Sequence, residues 1–227
     1  DYKVNLDYAS GDFTGYLEID PTFGYTSGGF NGAKSLRAGG TNCPAVEGLY
    51  TTAPYIKSAY STDERCFRGG FYWDITSISD SAPITDINFK YSTSSAYGGT
   101  GDSIDVNPYS GTLSTDTYSD IWTDTKDGTT FTTIPISSTV TNAVIDLGSS
   151  AVTDLQNKLS VDNEWSFGMV VTDEEPRQST SRQATFSSYE LQITYSIPAI
   201  MADPPTNLSA TDGLPIGLSW TAPTNFG

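Results

Sequence analysis

FRGGFYWDITSISDSAPITDINFKYST, residues 67–93, reads as strand, turn, strand. Phe71, Trp73 and Ile75 fall on one face of the first run, with Tyr72 and Asp74 on the other. Asp80, Ser81, Ala82 and Pro83 supply turn chemistry, and the stretch as a whole predicts a central hairpin. Ile84, Ile87, Phe89 and Tyr91 then carry a second strand. A later stretch, YELQITYS at residues 189–196, alternates Leu191, Ile193 and Tyr195 with Gln192 and Thr194. Helical periodicity is almost absent elsewhere, which argues for an all-β chain.

The rest of the chain follows the same pattern. Residues 2–19 predict a hairpin around Ser10, Gly11 and Asp12, and residues 23–32 read as a Gly-rich loop. Residues 34–40 are a short strand. Residues 41–68 are irregular and hold both cysteines, Cys43 and Cys66. An isolated pair suggests one disulfide and an oxidising compartment, against two buried thiols. Strands are predicted at 103–109, 129–136, 143–147, 164–172, 184–188 and 189–196. The one predicted helix is 150–159, with Ala151, Leu155 and Leu159 on one side and Ser149 or Ser150 as its cap. Residues 197–205 form a Pro-rich linker, and residues 206–227 are too short to fold alone. The opening DYKVNLDY reads as a mature or trimmed N-terminus.

Charge narrows the partners. Eleven basic against 27 acidic residues give a formal charge of −16, which opposes nucleic acid and anionic membrane surfaces. No apolar run is long enough to insert in a bilayer as a helix. Histidine is absent, which removes the commonest general base and transition-metal ligand.

Several pieces together resemble the DNRLRE-type modules, related to carbohydrate-binding module family 96 and to disaggregatase repeats. SLRAGG, RGGFYWDITSISDSAPITDINFKYS, IDVNPY, IWTDTKDGTTFTTIP, AVIDLGSSAVTDLQNKL, EWSFGMVVTDEE and ATFSSYELQITYS follow that family's order over residues 23–196. The long excursion at residues 41–68, the hairpin at 2–19 and the Asn88-Phe89 pair depart from it. The resemblance implies an extracellular, jelly-roll-like antiparallel β-sandwich within residues 1–196, appended to a modular cell-surface protein. Residues 206–227, with Leu208, Leu218 and Trp220, resemble the truncated start of a fibronectin type III domain.

The constellations that carry chemistry are sparse. Paired carboxylates are uninformative among 27 acids, and no nucleophile–base motif is present, so no enzyme activity is expected. Carbohydrate stacking calls for exposed aromatics beside polar neighbours. Tyr50, Tyr55, Tyr60, Tyr97 and Tyr109 are the candidates, whereas Trp73, Trp122, Trp165 and Trp220 are expected in the core. Two acidic groups are candidate ligands for a structural Ca²⁺: Asp116, Asp120, Asp124 and Asp127, and Asp173, Glu174 and Glu175. Solvated acidic loops are the alternative. Asn207-Leu208-Ser209 is the one N-glycosylation sequon. The expected function is a non-catalytic, extracellular polysaccharide-binding or adhesive module. The alternative is a structural subunit of a surface layer, filament or virion fibre that packs against neighbouring subunits, and a carboxylate-dependent polysaccharide-degrading enzyme ranks last.

The cysteine pair gives a direct test. Alkylation of the unreduced protein, unfolded in denaturant so that buried thiols are reached, should add no mass at Cys43 or Cys66, and two modified thiols would end the disulfide expectation.

Overall fold

The computed structural model describes residues 2–5, 8–9, 12–13, 16–19, 23–26, 30–39, 45–51, 55–57, 65–172, 174, 182–196, 206–211 and 217–221. Before residue 65, side chains are described at 33, 34, 36–38, 48, 49 and 55–57, and beyond residue 196 none is described. The chain divides into two units, Phe23–Tyr195 and the two flanking segments Asp1–Thr22 and Ser196–Gly227.

The flanking segments are hairpins. β1 (Tyr2–Asn5) pairs with β4 (Tyr16–Ile19), and β2 (Tyr8–Ala9) with β3 (Asp12–Phe13), in one continuous register. This is the hairpin that the alternation of residues 2–19 predicts. β16 (Thr206–Thr211) pairs antiparallel with β17 (Gly217–Thr221). Leu208, Trp220 and Asn207 have side chains outside the described residues.

The larger unit is the all-β sandwich, an antiparallel network of eleven strands. They are β5 (Phe23–Thr26), β6 (Phe30–Gly39), β7 (Ala45–Thr51), β8 (Tyr55–Lys57), β9 (Cys66–Asp74), β10 (Ile84–Tyr97), β11 (Ser103–Pro108), β12 (Thr132–Pro135), β13 (Ala143–Asp146), β14 (Glu164–Val171) and β15 (Gln183–Tyr195). One layer runs β12–β11–β14–β9–β6–β7. The other runs β13–β10–β15, with β5 and β8 sharing the far edge of β15 at its two ends. β8 joins the layers through a single pair, Lys57 with Phe67.

The core lies between the layers and is aromatic. Phe71 on β9 stands with its ring centre 5.1 Å from Phe89, 5.5 Å from Phe167 and 5.7 Å from Phe186, so one ring touches strands of both layers. Trp73 and Trp165 lie 6.2 Å apart and are fully buried, as expected. Offset and edge-on ring pairs of this kind add to plain area burial.

The decisive stretch is corrected in one respect. β9 and β10 are not a hairpin: β9 pairs with β14 and β6, and β10 with β15 and β13. The connection at residues 75–83 crosses from one layer to the other. Its Ile75, Ile78 and Ala82 are buried, so it closes one end of the core. The alternation on both sides reads correctly, but a turn sequence alone does not tell a hairpin from a crossover.

Other corrections share a cause. Residues 41–68 are not strand-poor, because β7, β8 and the start of β9 fall within them. Residues 23–32 contain β5 and the start of β6. β15 is one strand rather than two. Inward positions switch from Ala184 and Phe186 to Leu191 and Ile193 across a bulge opposite Ser92 and Thr93. One extra residue reverses the alternation, and the period-2 reading splits there.

Among the described residues there are two helices rather than one. α1 (Tyr118–Asp124) falls in the Asp- and Thr-rich stretch read as loop. Thr117 and Asp120 bracket its first turn reciprocally: the Thr117 hydroxyl donates to Asp120 Oδ2 at 2.6 Å, and the Asp120 amide donates back at 3.3 Å. α2 (Gly148–Lys158) starts two residues earlier than predicted and has no Ser cap. Asp146 instead accepts from the Gly148 amide at 2.6 Å. Leu147, Ala151, Leu155 and Leu159 seal the core against α2. Gln156 accepts from the Ile84 amide at 2.9 Å and donates to the Ala82 carbonyl at 3.2 Å, which fastens the helix to the crossover.

A second, smaller core forms on the outer face of β6, β9 and β14. Leu36, Ala38, Cys66, Tyr109, Leu113, Ile121 and Trp122 pack there, under α1 and the loop before it. Two glycines permit the approach. A Cβ on Gly70 would stand 2.5 Å from Leu113 Cδ1, and one on Gly168 would stand 2.5 Å from Thr125 Cα. Gly168→Ala therefore has to displace backbone, and it should cost about 1–3 kcal/mol in urea denaturation. A cost within about 0.5 kcal/mol, the range of ordinary surface changes, would contradict this packing.

Candidate functional site

Two polar constellations stand out. The first lies beneath α1. Arg68 sits in a strand buried on both faces, so its guanidinium needs partners inside the protein. Glu174 supplies them: Arg68 Nε donates to Oε1 at 3.0 Å and Nη2 to Oε2 at 2.5 Å. Nη1 donates to the Trp122 carbonyl at 2.6 Å, and the guanidinium lies 4.3 Å over the Trp122 ring. Lys126 adds a second, more exposed cation 3.6 Å from Glu174. Glu174, expected as a calcium ligand, is thus the buried partner of an arginine.

The acids of the α1 region are held singly. Asp116 Oδ2 accepts the Tyr109 hydroxyl at 2.8 Å and the Thr112 amide at 2.9 Å. Burial, reinforced by Asp116, pushes the Tyr109 hydroxyl well above the usual tyrosine range. Tyr109 is fully buried and is corrected from stacking platform to core. Asp124 accepts from the Ser110 amide at 2.7 Å, the Ser110 hydroxyl at 3.0 Å and the Gly111 amide at 3.3 Å. Asp120 caps α1, and Asp127 is exposed beyond the helix. A cation does sit here, and it is covalent. Lys158 Nζ donates to the Ser110 carbonyl at 2.8 Å and to the Gly111 carbonyl at 3.3 Å, 3.6 Å from Asp162. Among the described residues no three acids, cysteines or histidines gather as a metal-holding group. Asp173 and Glu175 lie outside the described residues.

Two further acids are tuned. Burial raises the carboxyl of Glu164, which accepts from the Ser114 amide at 3.1 Å. Burial also raises Asp154, which accepts the Trp165 indole N–H at 2.8 Å. Each is engaged by a neighbouring donor from the fold itself.

The second constellation is on the other layer. Where β10, β15 and β8 run side by side, Ala96, Ala184 and Ile56 occupy one register row, with Ala184 and Ile56 inside the core. Alternation turns the rows on either side outward. One such row is Tyr97, Gln183 and Lys57, with Lys57 buried at its β8 end, and the other is Ser95, Thr185 and Tyr55. Hydrogen bonds fix the array. The Tyr55 hydroxyl donates to Gln183 Oε1 at 2.7 Å, and the Ser95 hydroxyl donates to Thr185 Oγ1 at 2.9 Å. Tyr55 stands edge-on to Phe67, 4.8 Å between centres, and Lys57 is buried with Nζ 5.9 Å from the same ring. Tyr97 is 58 % exposed.

Of the five tyrosines proposed from sequence, Tyr97 is exposed, Tyr55 is half-buried on β8 and bonded to Gln183 opposite Tyr97, and Tyr109 is in the smaller core on the other layer. The side chains of Tyr50 and Tyr60 lie outside the described residues, as does Cys43. Cys66 is buried at the start of β9. Sequence reasoning missed Arg68, Lys158, Gln183 and Thr185. Arg68 carried a usable signal, a charge directly before Gly69-Gly70 in an apolar strand. The pairing of Tyr97 with Gln183 carried none, because register across 86 residues is not visible in one sequence. No helix among the described residues is long and apolar enough to cross a membrane. No protein-family model matches the chain, and no curated protein is significantly similar to it.

The arginine clasp makes a sharp prediction. Glu174→Ala leaves a buried guanidinium without its carboxylate and should cost about 3–5 kcal/mol in urea denaturation. Arg68→Met combined with Glu174→Leu removes both charges and should recover most of that loss. Equal costs for the single and the double variant would show that the charges themselves are not at issue.

Proposed function

We propose that this chain is a non-catalytic, extracellular module of a modular cell-surface protein, and that it binds polysaccharide. The observation that carries the reading is the outward array on β10, β15 and β8. There an exposed aromatic ring stands beside an amide and hydroxyls held in place by their own hydrogen bonds. Carbohydrate recognition asks for that combination, an apolar flat surface with polar groups converging at its edge. The non-catalytic part of the reading is supported by the absence of histidine and by the engagement of Asp154 and Glu164 with fold-internal donors. The Cys43–Cys66 disulfide and a fibronectin type III start at residues 206–227 belong to the same proposal, since both suit an extracellular modular protein.

One observation favours a second reading, a subunit of an extracellular assembly. Val144 is 56 % exposed on β13, and among the described residues β13 pairs only with β10. An apolar side chain on an open strand edge suits strand addition from a neighbour.

A glycan array with the whole chain, run with calcium and with EDTA, tests the first reading. Retention on a defined set of glycans is expected, without release of reducing sugar on prolonged incubation. Dependence on calcium would assign the expected structural ion, and identical profiles would remove it. Retention on no glycan, together with concentration-dependent oligomers in sedimentation, would replace the binding reading by the assembly reading.

A further inference from the structure

We infer that the outward face formed by Tyr97, Gln183, Thr185 and Ser95 is a subsite for neutral pyranose sugars, with Tyr97 as its stacking platform. The inference rests on the glycan-binding reading and places that binding at one location with one class of ligand.

Geometry supplies the first argument. Tyr97 and Gln183 are directly opposed residues of an antiparallel pair, so their side chains leave the sheet on the same face as near neighbours. A pyranose ring has an apolar C–H face and a rim of hydroxyls. Tyr97 offers the flat apolar partner, and the carboxamide of Gln183 carries both donor and acceptor atoms. Thr185 and Ser95, one outward row along, add hydroxyls that act as donor or acceptor. The three strands together span about 10 Å.

Order supplies the second. Gln183 is tied to the Tyr55 hydroxyl at 2.7 Å, and Thr185 to the Ser95 hydroxyl at 2.9 Å. Tyr55 is itself seated on Phe67. The polar groups are thus positioned before any ligand arrives, which lowers the ordering cost of binding. Tyr97 is 58 % exposed at the end of β10, beside Gly98 and Gly99.

Charge supplies the third and selects the class. Among the described residues the six of the array, Tyr97, Gln183, Lys57, Ser95, Thr185 and Tyr55, include no carboxylate. Its single charge, Lys57, is 5 % exposed and held near the Phe67 ring. The chain carries a formal charge of −16, which repels uronates and sulfated sugars at long range. A neutral ligand has no such penalty.

Affinity electrophoresis of the whole chain decides the matter, in gels cast with neutral glucan, mannan or xylan and with acidic polygalacturonate or alginate. Retardation is expected in at least one neutral gel. Tyr97→Ala should weaken it by roughly tenfold or more, as truncation of a central aromatic contact does. Gln183→Ala should weaken it less, and Tyr118→Ala, on the exposed side of α1, should leave it unchanged. Thermal melts of the variants control for folding, and Tyr97, being exposed, can be removed without opening the core. Retardation that survives Tyr97→Ala overturns the subsite while leaving glycan binding in place elsewhere on the chain. Retardation by the acidic gels alone overturns the ligand class. Retardation by none of the gels overturns both this inference and the reading beneath it.

Discussion

The guanidinium of Arg68 has to be satisfied inside the protein, and the outer layer of the larger unit is built around that requirement. Moving a charge from water into an apolar surrounding costs several kcal/mol unless partners meet it with good geometry. Here those partners come from three places: a carboxylate more than 100 residues along the chain, a helix carbonyl, and the face of Trp122. Each tie fixes a different element. Glu174 holds the segment after β14, the Trp122 carbonyl holds α1, and Gly70 and Gly168 let the α1 layer settle close enough for those bonds to form. The smaller core of Leu36, Tyr109, Leu113 and Ile121 then fills the space that this arrangement creates.

Seen this way, the acidic surface divides into two kinds of carboxylate. Some are anchors, each accepting two or three donors from its own loop, as Asp116 and Asp124 do. Lys158 lies where two carbonyls and a carboxylate converge, so its side chain neutralises part of the loop's negative potential. Asp127, beyond α1, faces water. The α1 side thus reads as scaffolding, whereas on the β10–β15–β8 face Gln183, Thr185 and Ser95 are ordered by hydrogen bonds on the face that carries the exposed Tyr97.

How much of this was legible in the sequence depends on the range of the interaction. Alternation is local, so Phe71, Trp73, Phe89, Tyr91, Leu191 and Ile193 could be placed in the core from their spacing alone, and all are buried. Partnership is not local. The stretch at residues 67–93 looks like a hairpin because a turn of Asp, Ser and Pro joins two strands, yet the strands belong to different layers. α1 was hidden because a seven-residue helix covers too few turns to show a period, although its Thr117 and Asp120 bracket was readable in principle. The site fared likewise. Tyr97 could be nominated from its Gly-rich surroundings, but Gln183, Thr185 and Lys57 reach it through register. Tyr109 was misjudged because a tyrosine with a buried hydroxyl partner looks the same in sequence as one in water.

The ends of the larger unit carry a mechanical consequence. Phe23, where this unit begins, is paired with Tyr195, where it ends, on adjacent antiparallel strands. A tensile load applied at those two points acts across one edge of the sheet and runs perpendicular to its ladder, so hydrogen bonds there open one after another rather than shearing together. β15 also carries Phe186 of the aromatic core, farther along the strand from Tyr195. Load passed along the chain therefore meets the β5–β15 ladder at Phe23 and Tyr195 first, before it reaches the core residues farther along β15.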